Sequence, residues 1–267
     1  MEQIRLFALG GLDEDGKNLT VVEINDDIFV IDAGLKYPAA DHLGIEMIIP
    51  DFTYLIQNKN RIKAVFITQG HDDVMAALPY LLKEVKVPVY TTPLTAMILD
   101  NLCKQFEIKE VEIHRIKRNG TFSVGSRKIR TFGITHSMAD AFGIGIWTEY
   151  GWIVYTSEFI IDFDVHNEAF QCDITEFSEL GKQGVFALMT ESVGADRPGH
   201  TSPSHLISSY FEKALDEAGS RIIVTLYEQN VYRLIEVLDL AAKYKKKVFF
   251  YNDEQRALLR LVEKLGY

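Results

Sequence analysis

The feature that most constrains the fold of this chain is an almost unbroken apolar run within Arg61–Thr68, where Ala64, Val65, Phe66 and Ile67 follow one another. A strand with apolar side chains on both faces must be covered on both sides, as happens when helices flank a sheet. The residues Met75–Val85 that follow have the apolar spacing of a helix. Together they predict a layered α/β fold.

Short runs of alternating or β-branched residues predict further strands on both sides of this segment. The other predicted elements before the chain changes character are the strands Ile4–Leu9, Leu19–Ile24, Asp27–Asp32, Glu110–Ile116, Lys128–Ile134, Ile144–Thr148, Trp152–Thr156 and Val185–Met189, and the helix Leu94–Phe106. The apolar composition of Val185–Met189 predicts a second buried strand.

The pattern of elements changes near residue 200. Ser202-Pro203 is typical of a helix start, because serine caps the helix and proline is favoured at its first position. The predicted elements that follow are helix Pro203–Ala218, strand Arg221–Leu226, helix Val231–Tyr244, strand Lys247–Tyr251 and helix Asp253–Leu265. This alternation predicts a second, parallel-sheet module in residues 205–267, after a first domain in residues 1–204. Sheets usually have more than two strands, so we expect the module to be incomplete here.

Composition excludes several classes of protein. The chain has 267 residues with a formal net charge of −10, which argues against a general nucleic-acid coat without excluding a local basic groove. Two cysteines, Cys103 and Cys172, form no disulfide framework and suit a reducing compartment. The sequence has no signal-peptide pattern and no apolar run near the roughly 18 residues of a membrane span, so we expect a cytoplasmic protein that does not bind membranes.

Polar residues follow three of the predicted strands directly. Thr68–Asp73 comes after the buried strand, Thr135–Ser137 after a second strand and Thr156–Glu158 after a third. His71 and Asp73 could both face a metal ion from one loop, although an isolated His-x-Asp motif more often belongs to an ordinary polar surface. Three strand ends that each supply a metal-ligand type favour a metal site at one edge of the sheet.

Short sequence motifs along the chain occur in an order that resembles the metallo-β-lactamase superfamily and, more narrowly, the ribonuclease J family. The segments that carry the resemblance are Phe7–Leu12, Gly16–Asn18, Ile31–Gly34, Ile48–Leu55, Thr68–Asp73, Ala77–Leu82, Val87–Tyr90, Thr135–Ser137, Thr156–Phe159 and Arg197–Gly199. The resemblance implies a metallo-β-lactamase-like αββα sandwich, followed from about residue 205 by the first part of a β-CASP module. It also implies metal-dependent hydrolysis of RNA phosphodiesters.

The chain departs from the family at several metal ligands. Active members read His-x-His-x-Asp-His in the central motif, where this chain has Gln69 at the first histidine and Val74 at the last. His71 and Asp73 are kept. His136 is also kept, Glu158 stands where the family has a bridging aspartate, and the family's final histidine falls beyond Tyr267.

The resemblance therefore implies a degenerate metal site. A two-metal hydrolase needs both ions fixed about 3.5–4 Å apart, and valine has no lone pair to offer. The remnant would consist of His71, Asp73, His136 and Glu158, with Asp73 and His136 as vestigial catalytic residues. We expect no cofactor, or one weakly bound divalent ion such as Zn²⁺ or Mn²⁺.

The functional hypothesis that follows is a ribonuclease J-type subunit in RNA processing and decay with weak or no nuclease activity. It would act with an active paralogue in a homo- or hetero-oligomer, with RNA as a partner. Arg233, in a segment resembling a β-CASP motif, could contact RNA phosphate or lie on a solvated helix face. Asp32 is either a support for the metal ligands or a turn residue. Two alternatives are an active single-metal hydrolase with a non-RNA substrate and an interaction module without metal or RNA.

Overall fold

The first of two sheets contains the buried strand that the sequence predicts. The computed structural model describes residues 1–165, 167–199 and 208–267. The strands of this sheet lie side by side in chain order: β1 (Ile4–Gly10), β2 (Leu19–Ile24), β3 (Asp27–Ile31), β4 (Ile62–Phe66), β5 (Val89–Thr91) and β6 (Ile113–Arg115). The first three are antiparallel, whereas β3 to β6 are parallel to one another.

The second sheet faces the first across a shared hydrophobic core. Its order is β11 (Val185–Met189), β10 (Gly151–Tyr155), β9 (Phe142–Thr148), β8 (Arg127–Gly133) and β7 (Gly120–Val124), and only β10 and β11 pair in parallel. Phe29 and Phe66 of the first sheet belong to one cluster with Ile129 and Ile144 of the second. Inward-facing apolar side chains from two sheets are what forms a sandwich core.

Helices lie on the outer sides of the two sheets and beyond them in the C-terminal part of the chain. They are α1 (Thr53–Gln57), α2 (Asp72–Met75), α3 (Leu78–Glu84), α4 (Pro93–Gln105), α5 (Ile174–Gln183), α6 (Ser208–Glu217), α7 (Val231–Lys243) and α8 (Asp253–Leu265), with short 3₁₀ turns at Lys59–Arg61 and Glu168–Phe170. Leu81 of α3 and Leu99 of α4 pack against the first sheet, and Leu180 of α5 packs against the second. The layers are therefore αββα, as predicted.

The helix predicted over Met75–Val85 is divided into α2 and α3 in the structure. Pro79 lies in the first turn of α3, where its missing N–H costs nothing, whereas inside a continuous helix it would remove a hydrogen bond. The division matters for the site, because α2 is a single turn that presents Asp72 and Asp73 directly after His71.

Three predicted strands differ from the structure. Val185–Met189 is not buried: it is the edge strand β11, and Leu188 is 61% exposed because a neighbouring strand lies on one side only. Arg221–Leu226 and Lys247–Tyr251 join neither sheet, and Phe249 is 86% exposed. A strand needs a hydrogen-bonded neighbour, and the described part of the chain provides none for these two segments.

The C-terminal helices agree with the sequence prediction and pack beside the site. Val231 of α7 and Val262 of α8 share a buried cluster with Leu94 of α4 and with Met138. The predicted helix Pro203–Ala218 appears as α6 (Ser208–Glu217), while its start, the Ser202-Pro203 cap and the 204/205 domain boundary lie outside the described residues. No described helix has the length and apolar character that crossing a membrane requires.

Candidate metal-site remnant

The residues predicted from three separate segments meet at one edge of the sandwich. The ring centroids of His71 and His136 are 4.8 Å apart, and His136 Nε2 lies 3.8 Å from Glu158 Oε2. Asn18 Nδ2 donates to Asp73 Oδ2 over 3.3 Å and lies 3.5 Å from Glu158 Oε1. The strand ends therefore bring the four predicted ligands together, as the sequence argument requires.

A buried hydrogen-bond network forms the floor of this site. Asp32 adopts a left-handed backbone conformation, with φ of 65°, which aspartate tolerates better than most residues. Its Oδ1 accepts from the Thr68 N–H and from Thr68 Oγ1, both over 2.9 Å. Thr68 Oγ1 also lies 3.1 Å from Asp32 Oδ2 and 2.9 Å from Ser157 Oγ. Asp32 thus lies fully buried directly after β3, where its carboxyl binds the polar residue that follows β4.

The two positions that lack a histidine have other local roles. Gln69 is fully buried; its Oε1 accepts from the His71 N–H, and its Nε2 has no hydrogen-bond partner among the described residues. Val74 is 1% exposed and belongs to the hydrophobic core that α3 covers. Val74 therefore has no donor atom for an ion, and Gln69 could offer only a neutral amide oxygen that already accepts one hydrogen bond.

Hydrogen-bond partners indicate which ring nitrogen of each imidazole carries the hydrogen. His71 Nε2 lies 3.2 Å from the Gln229 carbonyl oxygen and 3.3 Å from Ser137 Oγ. Because a carbonyl only accepts, this contact places the hydrogen on His71 Nε2. His136 Nδ1 accepts from the Met138 N–H over 3.1 Å, so the ring hydrogen of neutral His136 is on Nε2, towards Glu158.

The charges at the site are set mainly by burial. Burial lowers the pKa of His71 to about 3, with His136 contributing, so the His71 ring is neutral. Burial and the nearby Glu158 raise the pKa of Asp73. The hydrogen bond with His136 instead lowers the pKa of Glu158. Because the pKa of Asp73 is raised and that of Glu158 is lowered, Asp73 keeps a proton more readily than Glu158 does.

The residues present do not fit a pair of metal ions. Each of two ions needs several fixed donors, whereas Val74 has no donor atom and Gln69 Oε1 already accepts a hydrogen bond from the His71 N–H. Within the described ranges, no group of three or more His, Cys, Asp or Glu side chains is arranged to hold a metal ion. The single remnant ion expected at His71, Asp73, His136 and Glu158 stays a prediction, and we derive no reaction step through a metal.

Comparison with known proteins agrees with this fold and with the motif order. Residues 29–208 match the family described as a beta-lactamase superfamily domain. The chain belongs to the β-lactamase superfamily. Over all 267 residues it is 36% identical to Ribonuclease J 2 of Staphylococcus saprophyticus and 35% identical to Ribonuclease J 2 of Staphylococcus aureus strain NCTC 8325. It spans 48% of the length of each of these relatives.

A solved structure supports the superfamily fold independently. A protein of unknown function from Enterococcus faecalis V583 aligns with a TM-score of 0.67 at 18% identity, over 100% of this chain and 68% of that one. At such low sequence identity, the match shows a similar fold and nothing about function. The fold class and the similarity to ribonuclease J expected from the sequence are therefore confirmed.

A cavity of about 290 Å³ opens beside the β-lactamase-type site. His136, Glu158, Glu191, Asn230 and Arg233 are among its lining residues. The Arg233 side chain is 11% exposed and pairs with Glu236 one helical turn further on. Arg233 therefore faces a pocket next to His136, and the interpretation as a solvated helix face is wrong.

Sequence reasoning missed two residues that contact the candidate metal ligands and their loop. Asn18 links Asp73 with Glu158, and Gln229 contacts both His71 and Asp72. Asn18 lies in one of the motifs that carry the family resemblance, and Gln229 is the first residue of the segment that contains Arg233. Nothing in the local pattern of either segment indicates contact with a loop so distant in sequence.

Proposed function

We propose that this chain is part of a ribonuclease J-type subunit that acts in cytoplasmic RNA processing and decay and has weak or no nuclease activity of its own. Its role would be to bind RNA and to assemble with an active paralogue. The observation that carries the proposal is the pair of replaced ligands, Gln69 and Val74, inside a site whose scaffold is otherwise intact.

The similarity to Ribonuclease J 2 supports the RNA-related part of the proposal. The identity of 36% extends over the whole chain, although the chain corresponds to about half of that relative. Residues after 205 would be the first part of a β-CASP module, and α7 and α8 of that part pack against the lactamase-like layers.

The chemistry of the residues at the predicted ligand positions supports weak activity. Val74 is buried among aliphatic side chains where the resemblance expects an imidazole. Gln69 uses its oxygen on its own loop. A hydrolytic centre with two ions would need several additional ligands in fixed geometry. His71, Asp73, His136 and Glu158 would at most retain one weakly held Zn²⁺ or Mn²⁺.

A nuclease assay tests the proposal. We expect the purified chain with Mn²⁺ and 5′-monophosphorylated RNA to turn over no faster than a His71→Ala/His136→Ala double variant, and metal analysis to find less than one ion per chain. Robust turnover that the double variant loses would contradict the proposal, as would two tightly bound ions.

RNA contact and assembly are tested separately. Filter binding at several salt concentrations should show a salt-dependent affinity, because phosphate contacts release counterions. Arg233→Ala should weaken binding more than Arg260→Ala, which removes an exposed arginine on α8. Co-purification with an active ribonuclease J paralogue is expected. A flat salt response favours an interaction module without RNA.

A further inference from the structure

His136 lies in the loop 134–141, which connects β8 with β9. The Ile134 N–H donates to the Ala141 carbonyl over 3.2 Å and closes this loop at its base. Inside the loop, the Met138 N–H donates to His136 Nδ1 over 3.1 Å, so this contact sets the direction of the His136 ring. The direction of the ring therefore depends on what holds the rest of the loop in place.

Asp140 holds the end of this loop inside the molecule. The residue is buried, and its backbone is left-handed, with φ of 62°. Its N–H donates to the Ala169 carbonyl over 2.8 Å. Its Oδ2 accepts from the hydroxyl of Tyr267, which lies just beyond the end of α8. A buried carboxyl needs such a partner, because it has given up its contact with water.

The helix α7 contacts the same loop beside His136. The main-chain N–H of Tyr232, in the first turn of α7, donates to the Ser137 carbonyl over 2.9 Å. An N–H in the first turn has no partner within its own helix, so the loop satisfies it. Met138 packs in one cluster with Val231 of α7 and Val262 of α8. The two helices therefore contact the loop on both sides of Met138.

Arg118 fixes the support on which this loop rests. Its guanidinium donates to the carbonyl of Ile134 at the base of the loop and to the carbonyls of Glu168 and Gln171. The carbonyl that accepts from the Asp140 N–H belongs to the same segment. The base of the loop is thus held by the lactamase-like layers, whereas the Asp140 carboxyl is held from the side of α8.

We propose that Asp140 is a positioning residue for His136 and that the Tyr267 hydroxyl keeps Asp140 in place. The pair transmits the packing of α8 to the direction of the His136 ring. Without the hydroxyl, the buried carboxyl must turn to find another partner, because leaving it unsatisfied costs free energy. The left-handed turn at Asp140 then opens more often, and the contact between Met138 and His136 opens with it.

This inference goes beyond the proposed function, since it concerns contacts within the chain and is measured without RNA or metal. A nuclease assay does not enter the test. The positioning role and the proposed function can therefore fail independently of each other.

The test uses three variants and one matched control. Tyr267→Phe removes only the hydroxyl and keeps the ring in its apolar cluster. Asp140→Ala removes the acceptor, whereas Asp140→Asn keeps one oxygen and a side chain that tolerates the left-handed backbone. Tyr251→Phe is the control, because it removes the hydroxyl of a fully exposed tyrosine.

Hydrogen exchange measures how often the loop opens. We expect the Met138 amide to exchange about fivefold faster in Tyr267→Phe, as the loss of one hydrogen bond implies. Asp140→Ala should give at least the same acceleration, and Asp140→Asn should restore part of the protection. The Val65 amide in β4 should exchange at the same rate in Tyr267→Phe as in the unchanged chain. Tyr251→Phe should change neither amide.

The nitrogen NMR spectrum of the His136 imidazole gives a second measurement, which a merely structural contact would not change. Above neutral pH an ordinary histidine is uncharged, and the contact with Met138 keeps its hydrogen on Nε2. When this contact opens, both tautomers become populated. We therefore expect the Nδ1 and Nε2 signals of His136 to move towards each other in Tyr267→Phe.

Selective acceleration at Met138 together with the change in the His136 signals would support the proposal. Unchanged exchange at Met138 in Tyr267→Phe and Asp140→Ala would overturn it. Equal acceleration at Met138 and Val65 would also overturn it, because that result reports a loss of overall stability. Faster exchange confined to Val262 and its neighbours in α8 would show that Tyr267 anchors the helix without positioning His136, and the proposal would again fail.

Discussion

The floor of the site is the buried network of Asp32, Thr68 and Ser157, and its face consists of the polar residues at the predicted ligand positions. The two lie close together in sequence, but they differ in how their polar groups are paired. On the floor, the Asp32 carboxyl accepts from the main chain and side chain of Thr68, which in turn contacts Ser157. On the face, Gln69 Nε2 is buried without a partner in the described chain, and His136 and Glu158 are 3.8 Å apart.

The difference shows which residues the fold itself requires. The floor joins the ends of β3, β4 and β10, so losing its hydrogen bonds would leave buried donors unsatisfied within the sandwich. On the face, His71 contacts the Gln229 carbonyl, and Val74 packs in the hydrophobic core. The contacts of the floor therefore hold the strand ends together whichever residues stand at the predicted ligand positions.

The strongest test of this contrast is the substitution Asp32→Ala. It leaves the Thr68 N–H and the Thr68 hydroxyl without their acceptor, so the free energy of unfolding should fall by about 2–4 kcal/mol. Asp32→Asn keeps one oxygen and tolerates the left-handed backbone, so its loss should be about 1–2 kcal/mol. Urea unfolding followed by circular dichroism measures both. A loss below about 1 kcal/mol for Asp32→Ala would mean that the floor is not a structural network.

The next largest effect is expected at the boundary between the face and the core. Val74→His places an imidazole among aliphatic side chains, so it should lower the free energy of unfolding by about 2 kcal/mol. The control Val193→His changes a valine that is 86% exposed and should stay within about 0.5 kcal/mol. If Val74→His were neutral and bound Zn²⁺ tightly, position 74 would belong to the face after all.

A smaller effect is expected from the carboxyl groups as pH changes. Burial raises the pKa of Asp32 to about 7, and burial with Glu158 raises that of Asp73 to about 7. Between pH 4 and 7 the folded state then holds protons that the unfolded state releases, so the free energy of unfolding falls as pH rises. The lowered pKa of Glu158 acts in the opposite direction, below this window.

Asp73→Asn separates the face from the floor in this pH dependence. It should remove about 1–2 kcal/mol of the fall between pH 4 and 7, after allowance for partial exposure of Asp73. Asp253→Asn, at a position whose side chain is 90% exposed, serves as the control. Denaturant unfolding at several pH values measures the slope. An unchanged slope in Asp73→Asn would assign all of the dependence to the floor.

The αββα layers and most of their elements could be predicted because each depends on a local pattern. The apolar run before Thr68 required cover on both faces, and the polar residues after three strands predicted where a site would form. The strands predicted at Arg221–Leu226 and Lys247–Tyr251 failed for a different reason. Local pattern gives the tendency to extend, but a strand forms only where a neighbouring strand accepts its hydrogen bonds.

By itself the sequence determined which donors positions 69 and 74 can offer, since glutamine and valine there are fixed by residue identity alone. Tertiary structure decided how the remaining donors are used. Which ring nitrogen of His71 carries the hydrogen depends on the carbonyl of Gln229, which the packing of α7 brings to it. Hydrogen bonds depend on distance and direction, and no local pattern records a contact between residues so far apart in the chain.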